Sequence, residues 1–82
     1  MIDLAYSLVI EATDEPDYFT FFSPGLKGFS GVGHSIEDCV SRAQQGMLEH
    51  VQLLEKSRLG IPRPKRNPKV TVRNAVPLKR AG

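Results

Sequence analysis

Apolar and polar side chains alternate at the start of the chain, and further on the spacing becomes helical. Over residues 4–11 the larger apolar side chains occupy every second position, which is typical of a strand with one buried face. A polar turn around Pro16 separates this segment from a second predicted strand at residues 18–22, which is rich in aromatics. Residues 29–34 predict a short third strand. The pattern therefore predicts a small sheet made by three consecutive strands.

A helical period then predicts one long helix over residues 36–59. Ser35 is the expected N-cap, and Asp38 holds the position of the acid in a capping box. Gly60 is expected just beyond the C-terminal end, where a left-handed conformation is common. Six apolar side chains fall on one stripe and are expected to pack against the sheet: Ile36, Val40, Ala43, Met47, Val51 and Leu54.

Three prolines within residues 61–68 indicate an extended linker, and residues 69–73 are a candidate fourth strand. The sequence thus predicts an α+β fold: a three- or four-stranded antiparallel sheet with one long helix packed on one face. Residues 1–60 are predicted to form the folded module, and residues 61–82 a proline-rich basic linker and tail. Because 82 residues give a thin core, a homodimer or higher oligomer is expected.

The charges are divided between the two parts of the chain. Residues 1–55 hold nine acids and two bases, a net charge of −7, whereas residues 56–82 hold nine bases and no acid. An acidic body favours a basic protein partner, and a basic tail favours nucleic acid. The alternative is that the tail folds onto its own body and the charges only aid solubility.

The candidate binding residues follow from this division. Three acids in the first turn are the candidate contacts for a basic partner: Asp14, Glu15 and Asp17. Seven bases are the candidate contacts for DNA or RNA: Arg63, Lys65, Arg66, Lys69, Arg73, Lys79 and Arg80. The tail has no aromatic residue, so phosphate contacts sensitive to salt are expected there rather than base stacking.

No catalytic, metal or cofactor site is predicted. The soft metal ligands are His34, Cys39 and His50, and the last two lie about 16 Å apart along one helix, too far to share an ion. Cys39 is expected to be a small buried side chain and His50 a core-edge side chain with a hydrogen-bond partner. One cysteine, no apolar run long enough for a bilayer and no secretory signal together predict a cytoplasmic protein.

Four segments, in order and spacing, resemble the core of HicB-type antitoxins. Residues 6–11 match an opening Y-x-x-V-I-E pattern, and residues 22–29 are similar to an F-P-D-L-P-G loop. Residues 35–40 resemble a T-L-E-E-A helix start, and residues 61–64 an I-P-x-P exit. The resemblance covers about residues 4–64.

This resemblance implies a β-β-β-α module with a partial ribonuclease-H-like fold, often dimeric or tetrameric. It also implies a partner, the small basic HicA toxin, an mRNA-cleaving ribonuclease whose active site the antitoxin blocks. The leading hypothesis is therefore an antitoxin without enzymatic activity. The alternatives are a small nucleic-acid-binding protein that uses its basic tail, and an enzyme with a ribonuclease-H-like acidic site.

Overall fold

The protein is a four-stranded sheet with one helix on one face. The computed structural model describes residues 4–64 and 66–74. They form, in chain order, β1 (Leu8–Ala12), β2 (Phe19–Phe22), β3 (Ser30–Gly33), α1 (Ile36–Lys56) and β4 (Val70–Asn74). The strand order in the sheet is β3-β2-β1-β4. The predicted α+β fold with one long helix is confirmed, and the optional fourth strand is present.

The sheet is mixed, so the prediction of an entirely antiparallel sheet is wrong. β1 pairs antiparallel with β2, and β2 antiparallel with β3, but β4 runs parallel to β1 with Leu8 opposite Val70. The reason is the path of the chain. The helix returns it to the end of the sheet where β1 begins, so a last strand that enters there runs in the direction of β1.

The first strand is shorter than its alternation predicts. β1 begins at Leu8, although Leu4 and Tyr6 are buried as expected. The Tyr6 hydroxyl donates a 2.7 Å hydrogen bond to the carbonyl of Pro62, in the segment that follows the helix. The alternation therefore predicted the burial of this segment correctly, but the segment lies outside the strand ladder.

Both ends of the helix are capped. At the start, the Ser35 hydroxyl accepts a 3.0 Å hydrogen bond from the Asp38 amide, and the Asp38 carboxylate accepts one from the His34 amide at 2.9 Å. At the other end, the Leu59 amide donates to the Leu54 carbonyl in a Schellman motif. Arg58, with φ of 58°, takes the left-handed position there, so the expectation for Gly60 is wrong. The helix accordingly ends at Lys56, three residues before the predicted end.

The core lies between the helix and the three antiparallel strands. Its strand side includes Leu8, Ile10 and Phe21, and its helix side is Cys39, Ala43 and Met47. Further members of the predicted stripe, Val40, Val51 and Leu54, are half-buried, whereas Ile36 is exposed and its predicted burial is wrong.

The helix is rotated towards β3 relative to the prediction, and Gly33 is the reason. A Cβ atom at Gly33 would lie 2.7 Å from the Cys39 sulfur, closer than real Cβ contacts. The missing side chain lets Cys39 pack directly on the strand. The buried stripe is therefore centred on Cys39, Ala43 and Met47 rather than on Ile36 and Val40.

Candidate partner interface

The turn between β1 and β2 holds the three acids predicted to bind a basic partner. Thr13 organises it: its hydroxyl donates to the Tyr18 carbonyl at 2.7 Å and accepts from the Glu15 amide at 3.1 Å. These bonds satisfy the turn's backbone and leave the side chains of Asp14, Glu15 and Asp17 exposed. Within residues 4–64 and 66–74, none of the three forms an ion pair.

His34 joins this turn to the start of the helix. Its ring Nδ1 lies 3.2 Å from the Asp17 carbonyl, and its backbone amide donates to the Asp38 carboxylate. His34 therefore contacts Asp38 through its backbone amide. As a result, the turn lies next to the start of the helix, where Glu37 and Asp38 are found. We call these five residues the acidic end: Asp14, Glu15, Asp17, Glu37 and Asp38.

Asp38 is the most constrained carboxylate of the acidic end. The hydrogen bond from the His34 amide, and then that from the Arg42 guanidinium at 2.9 Å, lower the pKa of Asp38 below its usual range. Arg42 also neutralises this carboxylate. Because Arg42 engages Asp38, the other four residues of the acidic end are the ones that form no ion pair within the described residues.

The predicted basic residues divide into three groups. Arg73 is engaged: it contacts Glu11 at 2.6 Å, and its guanidinium lies 5.8 Å from the centre of the Phe22 ring. Three others are exposed and form no ion pair within the described residues: Arg63, Arg66 and Lys69. Three lie outside the described residues: Lys65, Lys79 and Arg80.

The acidic end and these exposed bases lie at opposite ends of the molecule. The helix has 21 residues and is about 30 Å long. The acidic end surrounds its start, whereas the segment with Arg63 and Arg66 follows its end. Salt screens charges over about 8 Å at physiological ionic strength. The two ends can therefore attract different partners independently.

A groove at the side of the helix was not predicted from the sequence. It has a volume of about 720 Å³ and lies between residues 4–6, the helix and residues 61–64. Tyr6, Met47 and Val51 are among its apolar residues, and Leu48 at its rim is 61% exposed. An exposed leucine was the only sequence signal for it, because the groove depends on how the segment after the helix packs back on Tyr6.

Cys39 and His50, both on the helix, do not form a reactive site. Cys39 is buried as predicted, and burial, with a smaller contribution from the Asp38 charge, raises the pKa of its thiol. His50 packs edge-on against Phe29 at 5.9 Å between ring centres. Its Nε2 atom is buried and has no hydrogen-bond partner among the described residues, so the expected partner is wrong.

The described residues contain neither a metal-binding cluster nor a helix able to cross a membrane. No group of three or more His, Cys, Asp or Glu side chains there is arranged to hold a metal ion. No helix in the same residues combines the length and the apolar character that crossing a bilayer requires.

Comparison with known proteins adds no relative to this picture. No family model, no curated protein and no solved structure matches the chain. The resemblance to HicB-type antitoxins therefore rests on the sequence segments alone and stays a prediction.

Proposed function

We propose that this chain is a HicB-like antitoxin module, which binds a small basic ribonuclease toxin and neutralises it by protein–protein contact. The observation that carries the proposal is the acidic end, where His34 joins a turn with three exposed acids to the acidic first turn of the helix. Opposite charge on two proteins speeds their encounter and selects against wrong partners. The order of the four HicB-like segments supports the same conclusion.

The proposed mechanism is competition for the toxin's basic surface. A ribonuclease holds the RNA backbone with basic side chains, and exposed carboxylates on a fixed scaffold offer the same charge as phosphates. Thr13 and His34 hold the scaffold in place, so little ordering is needed on binding. Because such a toxin cleaves mRNA, the compartment we propose is the cytoplasm.

Co-expression tests this function. The tagged protein is produced together with each small basic product encoded beside its gene, and growth and co-purification are measured. We expect one such product to arrest growth when produced alone, and to form a stoichiometric, non-toxic complex when produced with this chain. If no neighbouring product binds or is neutralised, the proposal is wrong.

A pair of variants of equal net charge tests the role of the acidic end. Asp14→Asn with Glu15→Gln removes two negative charges from the turn, and Glu55→Lys changes the net charge equally at the far end of the helix. We expect the double variant to weaken the complex at least about tenfold, mainly by slower association, and Glu55→Lys to leave it within about twofold. Equal effects would mean that only overall charge matters.

A second candidate function is nucleic-acid binding by the basic segment after the helix. It is favoured by one observation: Arg63, Arg66 and Lys69 are exposed and have no acidic partner among the described residues. The test is fluorescence anisotropy with labelled duplex DNA across a salt series. If the bases contact phosphates, replacing Arg66 and Lys69 by Gln lowers the slope of log affinity against log salt by about 0.9 for each contact. An unchanged slope would remove this candidate.

A further inference from the structure

The two outer strands of the sheet, β3 and β4, each leave one edge without a partner strand in the described residues. The hydrogen bond from the Leu8 amide to the Lys69 carbonyl fixes which residues face these edges. The backbone N–H and C=O groups of Leu8 point towards β4. Those of its neighbour Val9 therefore point towards β2, where they bond to Phe22. The direction of the backbone groups alternates along β2 in the same way, so the backbone of Phe21 bonds to that of Gly31 on β3.

It follows that Ser30 and Val32 point their amide and carbonyl groups outward from β3. The hydrogen bond of 3.4 Å from the Ser23 amide to the Phe29 carbonyl agrees with this. Phe29 directly precedes Ser30 and points its carbonyl inward, so Ser30 points outward. By the same reasoning, Val70 and Val72 point theirs outward from β4.

The two edges differ in their protection against a further strand. Natural edge strands are commonly blocked by charged residues, proline or a bulge. β4 has Pro68 and Lys69 at its entrance and Arg73 within it. β3 has none of these: its sequence is Ser-Gly-Val-Gly, its register with β2 is continuous, and Val32 is 48% exposed. The edge of β3 is therefore open to another strand.

Acidic groups outnumber basic ones around the open edge. Glu49 lines a depression of about 280 Å³ together with Ser30 and Leu53, at the start of β3. At the other end, Asp38 lies beside Gly33, and Asp17 is bonded to His34. The nearby bases among the described residues are Lys27, in the loop before β3, and Arg42. Because Arg42 and Asp38 neutralise each other, Glu49 and Asp17 remain against Lys27.

We propose that the free edge of β3 accepts an extended basic segment of a partner protein as a fifth strand, bonded to the backbone of Ser30 and Val32. The proposal rests on the proposed function, because it places the basic partner on a particular edge. The surrounding acids select basic side chains on the added strand. The depression beside Leu53 takes one aliphatic side chain. A second copy's β3 fits less well, because it brings the same acids to the contact.

The first test uses a synthetic probe and needs no toxin. A fluorescein-labelled eight-residue peptide of alternating valine and lysine is titrated with the protein, and anisotropy is recorded. The matched peptide alternates valine and glutamate. We expect the lysine peptide to bind and to shift the amide resonances of Ser30 and Val32, and the glutamate peptide to bind at least about tenfold more weakly. Equal binding of the two peptides, or none at about 1 mM, would overturn the proposal.

Proline variants at outward-facing positions identify the edge. Val32→Pro removes one outward donor from β3 without breaking a bond to β2, and Val72→Pro does the same on β4. We expect Val32→Pro to weaken peptide binding at least about tenfold and Val72→Pro to leave it within about twofold. An equal or larger loss with Val72→Pro would assign the peptide to β4 and overturn the proposal.

A second pair of variants covers the case in which Val32→Pro does not fold. Val32→Lys keeps the donor but adds a charge that repels a basic strand, and Val32→Thr is its control at the same position. We expect Val32→Lys to weaken binding of the lysine peptide and Val32→Thr to leave it unchanged. If both variants bind like wild type, the proposal is wrong.

The outcomes for the edge and for the function are separable. If the peptide binds at β3 but no toxin-like partner exists, the edge proposal stands and the antitoxin function falls. If a toxin complex forms and Val32→Pro and Val32→Lys leave it unaffected, the function stands and the edge proposal falls. A dimer in size-exclusion chromatography that Val32→Pro dissolves and the peptide does not would assign the edge to a second copy, against the proposal.

Discussion

At the scale of single residues, Asp38 has the most structural roles. One carboxylate accepts hydrogen bonds from the His34 amide and the Arg42 guanidinium, while its own amide is bonded to the Ser35 cap. Because these bonds favour the charged form, they lower the pKa of Asp38 in the folded state. A lowered folded pKa adds stability above the unfolded pKa, near 3.8, and this contribution is lost as pH falls through the folded value.

Replacing Asp38 by Asn should therefore make the free energy of unfolding depend less on pH in the acid range. We expect the free energy of unfolding of Asp38→Asn to fall less steeply than that of wild type as pH is lowered from about 5 to about 2, in urea titrations at fixed pH. Glu37→Gln is the control, because it also removes an acid from the first turn but leaves the bond to His34 intact. Parallel profiles for wild type and Asp38→Asn would contradict this account.

The buried thiol of Cys39 should react slowly in the folded protein. Burial raises its pKa, so the reactive thiolate is scarce at pH about 8, and the side chain has no exposed surface. We expect a chromogenic disulfide reagent to label native protein only slowly and unfolded protein at once. A Ser41→Cys variant, with a thiol at an exposed position, supplies the fast control. Rapid labelling of Cys39 in the native protein would mean that the helix opens readily from the sheet.

At the scale of elements, β3 packs closely on the helix at Gly33. A Cβ atom on Gly33 would meet the Cys39 sulfur at 2.7 Å and the Cys39 backbone nitrogen at 3.1 Å. Neither the strand nor the helix backbone can move away without disturbing the core. The position therefore tolerates no side chain at its present spacing.

Gly33→Ala should accordingly destabilise the protein by about 1–3 kcal/mol, the usual cost of overpacking. Gly60→Ala is the matched control, since a Cβ there meets nothing within 4 Å. We expect the control to be neutral or slightly stabilising, because alanine restricts the unfolded chain. Thermal and urea unfolding of both variants would measure the difference, and equal stabilities would contradict the close packing of Cys39 on β3.

The elements also indicate how far the sequence determined the fold. Alternation and helical spacing predicted three strands and the helix, and left the fourth strand as a candidate, because burial repeats with the geometry of strand and helix. They missed the direction of β4, which depends on where the helix returns the chain. They also missed the left-handed Arg58, because the preference for glycine at this position pointed to Gly60, two residues further on.

At the scale of the whole molecule, the segment after the helix is anchored on the first residues of the module. Tyr6 bonds to Pro62, the Ser7 hydroxyl accepts from the Lys69 amide at 3.0 Å, and Glu11 pairs with Arg73. Residues 61–64 and 66–74 of the predicted basic tail are thus folded onto the body of the protein. The charge division had left open that the tail folds onto its own body, and these contacts agree with that alternative. Several bases of the same segment are nevertheless exposed.

Tyr6→Phe should weaken the attachment of the segment after the helix without creating a cavity in the core. The variant keeps the buried ring and removes one hydrogen bond, so we expect a loss of about 0.5–1.5 kcal/mol and faster amide hydrogen exchange in β4. Tyr18→Phe is the control, because Tyr18 is 44% exposed and its hydroxyl forms no hydrogen bond among the described residues. Unchanged exchange in β4 would show that the strand ladder alone holds the segment.

The sequence predicted part of the candidate interface. Three acids within one turn were recognisable because they are neighbours in the chain. Their approach to Glu37 and Asp38 was not, because it depends on His34 bridging two distant segments. The open edge of β3 was also hidden, since a glycine-rich strand predicts weak structure but not which of its sides stays unpaired.

The parallel pairing of β1 with β4 has a consequence for how the protein is made. β1 is synthesised well before its outer partner β4, with Leu8 opposite Val70. While the ribosome translates the segment between them, β1 has no neighbour on that side, and its unpaired backbone N–H and C=O groups are open to other nascent chains. Release of a product truncated before Val70 should therefore yield aggregates rather than a shorter soluble module.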